Sequence, residues 1–171
     1  MTCEICEIIK SKTNVLFEDE KVVVALAPKP STIGHILVMP KDHIPILEQV
    51  PDFTVSELFI KANKVSIGLF ESLKIEGTNI IVQNGTGAGQ SYPHCVVQVI
   101  PRVTNDGMNL LWKPKQLSEE EMATVELKVK DETKFIGEFE KEKPKPKEVE
   151  ETPKVSKEEE YLIKHLKKRL P

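Results

Sequence analysis

This chain has little with which to cross-link itself or cross a membrane. Of its 171 residues three are cysteine, an odd number, and two of them sit as Cys3-x-x-Cys6. That supply does not make the disulfide framework of a small secreted domain. It fits a reducing compartment in which the thiols are ligands or core residues. No apolar run approaches the roughly 20 residues that a membrane-spanning helix needs. The opening MTCEICEIIKSK lacks the basic start and long apolar stretch of a secretory signal, so a cytoplasmic location is the expectation. Positive charge is not in excess either: 24 Lys plus Arg against 27 Asp plus Glu leave a formal charge of -3. Neither a nucleic-acid footprint nor a generally cationic membrane surface follows from that balance. The length suffices to bury a core without staples.

Apolar periodicity occupies residues 1–117, and composition changes sharply near Lys141, where KEKPKPKEVEETPKVSKEEE carries only Val149 and Val155 amid prolines and mixed charge. Such a stretch cannot bury enough to offset its ordering entropy, so 141–155 reads as a solvated linker. Between them, 118–140 opens with Ser118-x-x-Glu121 and suggests a helix running towards Phe139. The end of the chain, 156–171, has its own Ser156-x-x-Glu159 box, with Tyr161, Leu162, His165 and Leu166 on one side of an amphipathic helix. A helix that short is marginal alone, so a protein partner or its own domain is expected to cover it.

Within the first part, β-rich runs fall at Asn14 to Phe17, Lys21 to Leu26, His35 to Met39, Thr78 to Gln83 and His94 to Ile100. Between the third and fourth, Val55, Leu58, Phe59, Ala62, Val65, Leu69, Phe70 and Leu73 recur with a helical period behind a possible Thr54-x-x-Glu57 cap. The pattern predicts an α+β domain: a five-stranded antiparallel meander with one long helix on a face, plus a C-terminal helical extension.

The stretch QNGTGAGQSYPHCVVQVIPR carries the chemistry. Gly85, Gly87 and Gly89 allow backbone N–H groups to approach an anion, though the loop has neither the lysine of a P-loop nor dinucleotide glycine spacing, and a plain inter-strand turn has the same look. On the strand that follows, alternation puts His94, Val96 and Gln98 on one face and Cys95, Val97 and Val99 on the other, towards the core.

At these residues the sequence resembles the histidine triad (HIT) family, whose signature is His-φ-His-φ-His-φ-φ behind a Gly-rich loop ending in Gly-Gln. Cys3-x-x-Cys6, the run Gly34 to Lys41 with His43, and Ile100-Pro101-Arg102 add to the resemblance in the family's order. It implies a HIT-like fold, a homodimer whose sheets join, and nucleotide hydrolysis or transfer at the α-phosphate through a nucleophilic middle histidine. That position here is Val96, which has no lone pair and cannot attack phosphorus. The third histidine is Gln98, as in the uridylyltransferase branch. The ribose-binding acid or amide is replaced by Ala27, a methyl that cannot accept a hydroxyl hydrogen bond. Gln83, Gly89, Gln90 and Ser91 match the family's phosphate loop, and Ser91 reads equally as a turn residue.

In the cysteine-containing branch, the positions of Cys3, Cys6, His43 and His94 bind zinc. A Cys-x-x-Cys pair that is redox-active normally opens a helix after a strand in a βαβ unit, and none is visible. Four such ligands close the tetrahedron and leave no position for an activated water, so the Zn2+ would be structural. The resemblance thus implies a nucleotide-binding-type domain with a degenerate catalytic face. Its rivals are a hydrolase or nucleotidyltransferase that orients water through Gln98, and a protein-interaction module acting through the C-terminal helix.

Overall fold

The computed structural model describes residues 3–142, so the linker beyond Glu142 and the segment from Ser156 lie outside the described residues. The elements run α1 (Glu4–Ser11), β1 (Val15–Glu18), β2 (Val22–Leu26), β3 (Ile36–Pro40), α2 (Asp52–Leu73), β4 (Gly77–Val82), β5 (Val97–Arg102) and α3 (Glu119–Glu132). The five strands form one antiparallel sheet in the order β1-β2-β3-β5-β4. The first three make the anticipated meander. The chain then crosses the sheet through α2 and lays β4 at the far edge, and β5 returns to fill the space between β3 and β4.

Strands β2 and β3 are almost continuously apolar, VVVAL and ILVMP, because both faces of the sheet are covered here. On one face α2 inserts Leu58, Ala62 and Leu69 among Val22, Val24, Ile36, Val38, Cys95, Val97 and Val99. Cys95, Val97 and Val99 therefore form core, as alternation requires. On the other face α1 packs Ile5, Ile8 and Ile9, at i, i+3 and i+4, against Val23, Ala25, Leu37 and Met39. Full burial of each such side chain is worth about 1.5–3 kcal/mol. Helix α1 was not anticipated, since its eight residues are too few to display a period. It ends at Lys12 in the left-handed region, φ 59°.

Three local details differ from the sequence reading. The capping position of α2 is Pro51, with Thr54 buried inside the first turn and Glu57 paired with Lys61 at 2.5 Å. Proline needs no amide partner there, so the helix starts earlier than a Thr54 cap would place it. Strand β5 starts at Val97, leaving His94 in the bend before it and Cys95 and Val96 in the lead-in, where Cys95 N–H donates to the Ile44 carbonyl at 2.6 Å. Helix α3 has the capping box read from Ser118 and Glu121 but stops at Glu132, well short of Phe139. Its Met122, Val125, Leu127 and Val129 are all exposed.

An ion cluster joins the β1–β2 turn to α2. The Lys61 ammonium lies 2.7 Å from Asp19 and 2.5 Å from Glu57. Burial works against the Asp19 carboxylate, but the Lys61 hydrogen bond and the amides of Val22 and Lys21 outweigh it and hold its pKa at about 2. A carboxylate depressed on folding contributes stability above its unfolded value near 4, and that contribution is lost as pH falls through about 2. Acid unfolding of Asp19→Asn should therefore show a shallower loss of stability between about pH 4 and pH 2 than the parent. Superimposable curves over that window would show that Asp19 contributes nothing.

Candidate functional site

Three pieces of backbone converge at one corner of the sheet. Cys3 caps α1 and Cys6 lies in its first turn, His43 follows the end of β3, and His94 sits in the lead-in to β5. Their donor atoms all lie within 4.8 Å of one another. The His94 Nδ1 is 3.8 Å from Cys3 Sγ and 3.7 Å from Cys6 Sγ, and the His43 Nδ1 is 3.3 Å from Cys6 Sγ. A tetrahedral ion at about 2.3 Å from sulfur and about 2.0–2.1 Å from nitrogen requires sulfur-to-nitrogen separations of about 3.6 Å. The group fits a metal ion in spacing and in donor chemistry.

The ring of His94 is preset for this role. Its Nε2–H donates to the Pro40 carbonyl at 2.9 Å, which leaves the lone pair on Nδ1 facing the cysteines. Burial pushes its pKa below the ordinary value, with His43 adding to the shift against the Pro40 hydrogen bond, so the ring is neutral at neutral pH. Cys3 and His94 are buried, Cys6 is half-buried and His43 is exposed, so solvent reaches the cluster from one side.

Beside it, Gln83, Gln90, Ser91, Val96 and Gln98 line a single recess with His94 and Tyr92. The residues singled out from the glycine loop and the strand after it are thus brought together. The recess holds only about 10 Å³, room for about one water. Gln98 Nε2 donates to Gln83 Oε1 at 2.6 Å. Gln90 is spent on the loop itself: its Oε1 accepts from Gly85 N at 2.7 Å, and its Nε2 donates to the carbonyls of Pro45 and Tyr92, both at 2.8 Å. Gly89 has φ 80°, and a Cβ there would stand 3.1 Å from the Gln83 amide nitrogen, so two independent restrictions select glycine. Ser91 is exposed at the rim.

Val96 and Ala27 are each 7% exposed and belong to the same apolar cluster as the isoleucines of α1. One histidine was passed over in the sequence. His35 is buried, accepts from Ser31 N at 3.1 Å through Nδ1, and has no partner at Nε2. Burial depresses its pKa, opposed by Gln98 beside it. It shares a face of the sheet with Leu37, which pairs with Gln98 across β3 and β5, and that pairing is a property of the fold and not of local pattern.

Comparison with known proteins identifies the family and the fold. The model of the HIT domain matches residues 9–105. The chain belongs to the HIT domain family. An adenylylsulfatase of Arabidopsis thaliana is 32% identical over 117 residues, 67% of this chain and 58% of that enzyme. A crystal structure of a HIT family member from Bacillus subtilis superposes with a TM-score of 0.70 at 28% identity, over 77% of this chain and 96% of that one. A zinc-bound histidine triad family protein from Mycobacterium smegmatis gives a TM-score of 0.59 at 27% identity, over 78% of this chain and 98% of that one.

The hydrogen bonds of Gln90 make it a staple of the loop. Gln90→Ala leaves Gly85 N–H and two carbonyls without that partner, and should cost about 1–3 kcal/mol in urea unfolding whether or not phosphate is present. A loss of less than about 0.5 kcal/mol would show that solvent replaces the amide fully.

Proposed function

We propose that this HIT domain is a nucleotide-binding-type domain held together by a structural zinc ion, without histidine-nucleophile chemistry. The observation that carries it is Val96, buried in an apolar cluster with Ala27 at the two positions where the family resemblance places the nucleophile and the ribose ligand. Neither side chain offers a lone pair to phosphorus or to a hydroxyl. Water orientation by Gln98, the route left to an enzyme, competes with the Gln98 to Gln83 hydrogen bond of 2.6 Å. Zinc is supported by the Cys₂His₂ donor set and by the zinc-bound mycobacterial relative. The metal would supply a cross-link and, with four protein ligands, no open position for catalysis.

The remaining parts of the reading are a cytoplasmic protein and a homodimer. The dimer is supported by the outer edge of β4, which has no neighbouring strand in the sheet, together with half-exposed Ile80 and with Phe59 and Phe70 on the outer side of α2. Nucleotide or phosphate is the ligand class for the loop beside the recess, at whose rim Ser91 is exposed, with Gly89 and Gln90 shaping the loop and Gln83 lining the recess, and the segment from Ser156 is the place for a protein partner.

Protein purified without added metal should contain one zinc per chain, and Cys3→Ser with Cys6→Ser should lose the metal and stability while keeping a folded sheet. A metal-free preparation of full stability would overturn the zinc reading. Incubation with adenosine phosphoramidate or a dinucleoside polyphosphate should give no nucleotidyl-protein adduct and no turnover in the usual enzyme range of about 1–1,000 per second. Turnover in that range would remove the catalytic part of the proposal while leaving the metal part standing.

A further inference from the structure

On the face of the sheet opposite the cysteines, α2 and β1 enclose a groove of about 620 Å³. That is the size of a small-molecule pocket. Its floor is core, from Val24 and Ile36, and its walls are Leu16 and Phe17 of β1 and Ile60 and Leu69 of α2. It follows α2 from Glu57 to Ser72, about 22 Å at a rise of about 1.5 Å per residue. The hydroxyl of Ser72 is turned away onto the helix, donating to the Gly68 carbonyl at 2.7 Å, so that end offers no polar group.

Two further features bear on what the groove takes. Gly68 lies in the interior of the 22-residue α2 and faces the groove, although glycine is among the poorest helix formers. A Cβ there would meet nothing within 4 Å. No steric demand keeps this position bare, and the missing side chain leaves the groove unobstructed there. Charge at the rim is also uneven. Lys61 is neutralised by Asp19 and Glu57, whereas Lys64 has no ion-pair partner among the described residues. Glu57, the acid on the rim, is held by Lys61.

We propose that this groove binds an amphipathic monoanion, a medium- to long-chain acyl carboxylate, with its hydrocarbon between α2 and β1 and its carboxylate at Lys64. Apolar walls supply the affinity through area removed from water, and a lone lysine at the rim selects a singly charged anionic head over a neutral one. The site is separate from the loop recess and does not depend on the nucleotide reading.

Calorimetric titration of the full-length protein with dodecanoate, and with uncharged dodecan-1-ol, both below their aggregation concentrations, tests this. Dodecanoate should bind saturably at one per chain. Gly68→Leu, which fills the groove while improving helix propensity, should weaken it at least about tenfold with a Tm no lower than the parent's. Lys64→Gln should weaken dodecanoate about two- to fivefold and leave dodecan-1-ol unchanged. Should Gly68→Leu fold poorly, Ile60→Glu at an exposed wall position serves in its place. The proposal is overturned by absence of saturable binding, by binding that survives both groove variants, or by a Lys64→Gln effect equal for acid and alcohol. It is equally overturned if sedimentation shows that the groove variants abolish self-association while dodecanoate does not compete with it, since the occupant is then a second copy of the chain.

Discussion

The hydrogen bond from His94 Nε2 to the Pro40 carbonyl, 2.9 Å long, ties the end of β3 to the lead-in of β5. A neutral imidazole has one donor and one acceptor, so giving the donor to Pro40 points the acceptor at Cys3 and Cys6. Those cysteines begin α1, whose eight residues are too short to stay helical alone. The apolar face that α1 covers, Val23, Ala25, Leu37 and Met39, thus depends on how the start of α1 is fastened to His94. One side chain connects a strand end, a strand beginning and a helix whose isoleucines pack on the sheet.

The apolar residues at positions 27 and 96 and the Cys3, Cys6, His43, His94 group lie close together at this corner of the sheet. Val96 lies two residues after His94, and it packs in the cluster that α1 closes, as does Ala27. An imidazole or a carboxylate at either position would sit where only 7% of the residue meets solvent, and its desolvation would have to be met by a hydrogen-bond partner or a bound ligand. With a valine and an alanine there, the cluster is satisfied by its own apolar contacts. His94 faces Cys3 and Cys6 and donates to the Pro40 carbonyl, contacts that do not require histidine at positions 96 and 98.

Much of the fold was legible because the long apolar elements leave little choice of period. α2 could be read from Leu58, Ala62 and Leu69, and β2 and β3 from runs too short for helices and too apolar for one-sided strands. The grouping of Cys3, Cys6, His43 and His94 was legible only through the family resemblance, since nothing in local spacing brings Cys3 within 4 Å of a residue 91 positions away. Two things escaped for physical reasons. α1 is two turns long, which is too few to separate a period from a run of isoleucines. The strand order could not follow from patterning, because β4 and β5 carry similar apolar alternation and only the crossover through α2 decides which of them sits beside β3. His35 read as a turn residue at a strand start, because its place near Gln98 depends on the pairing of β3 with β5, which patterning does not supply.

The opening between β1 and α2 has a local origin in the backbone. β1 is four residues long and lies at the sheet edge, and its register against β2 shifts between Val15 and Phe17. A regular strand would turn one of Leu16 and Phe17 inward, yet both are about half exposed, at 56% and 48%. The bulge sets Leu16 and Phe17 together at the groove wall beside α2. The ion cluster of Asp19, Lys61 and Glu57 then holds the turn after β1 against the helix, with the Lys61 ammonium 5.8 Å from the centre of the Phe17 ring. This end is therefore pinned while the middle, beside Gly68, is left without a side chain. A groove that arose merely from loose packing would be expected to close by helix tilt or by a larger residue at Gly68. Here an edge bulge, a glycine within a helix and a charged clasp at one end all border the same groove.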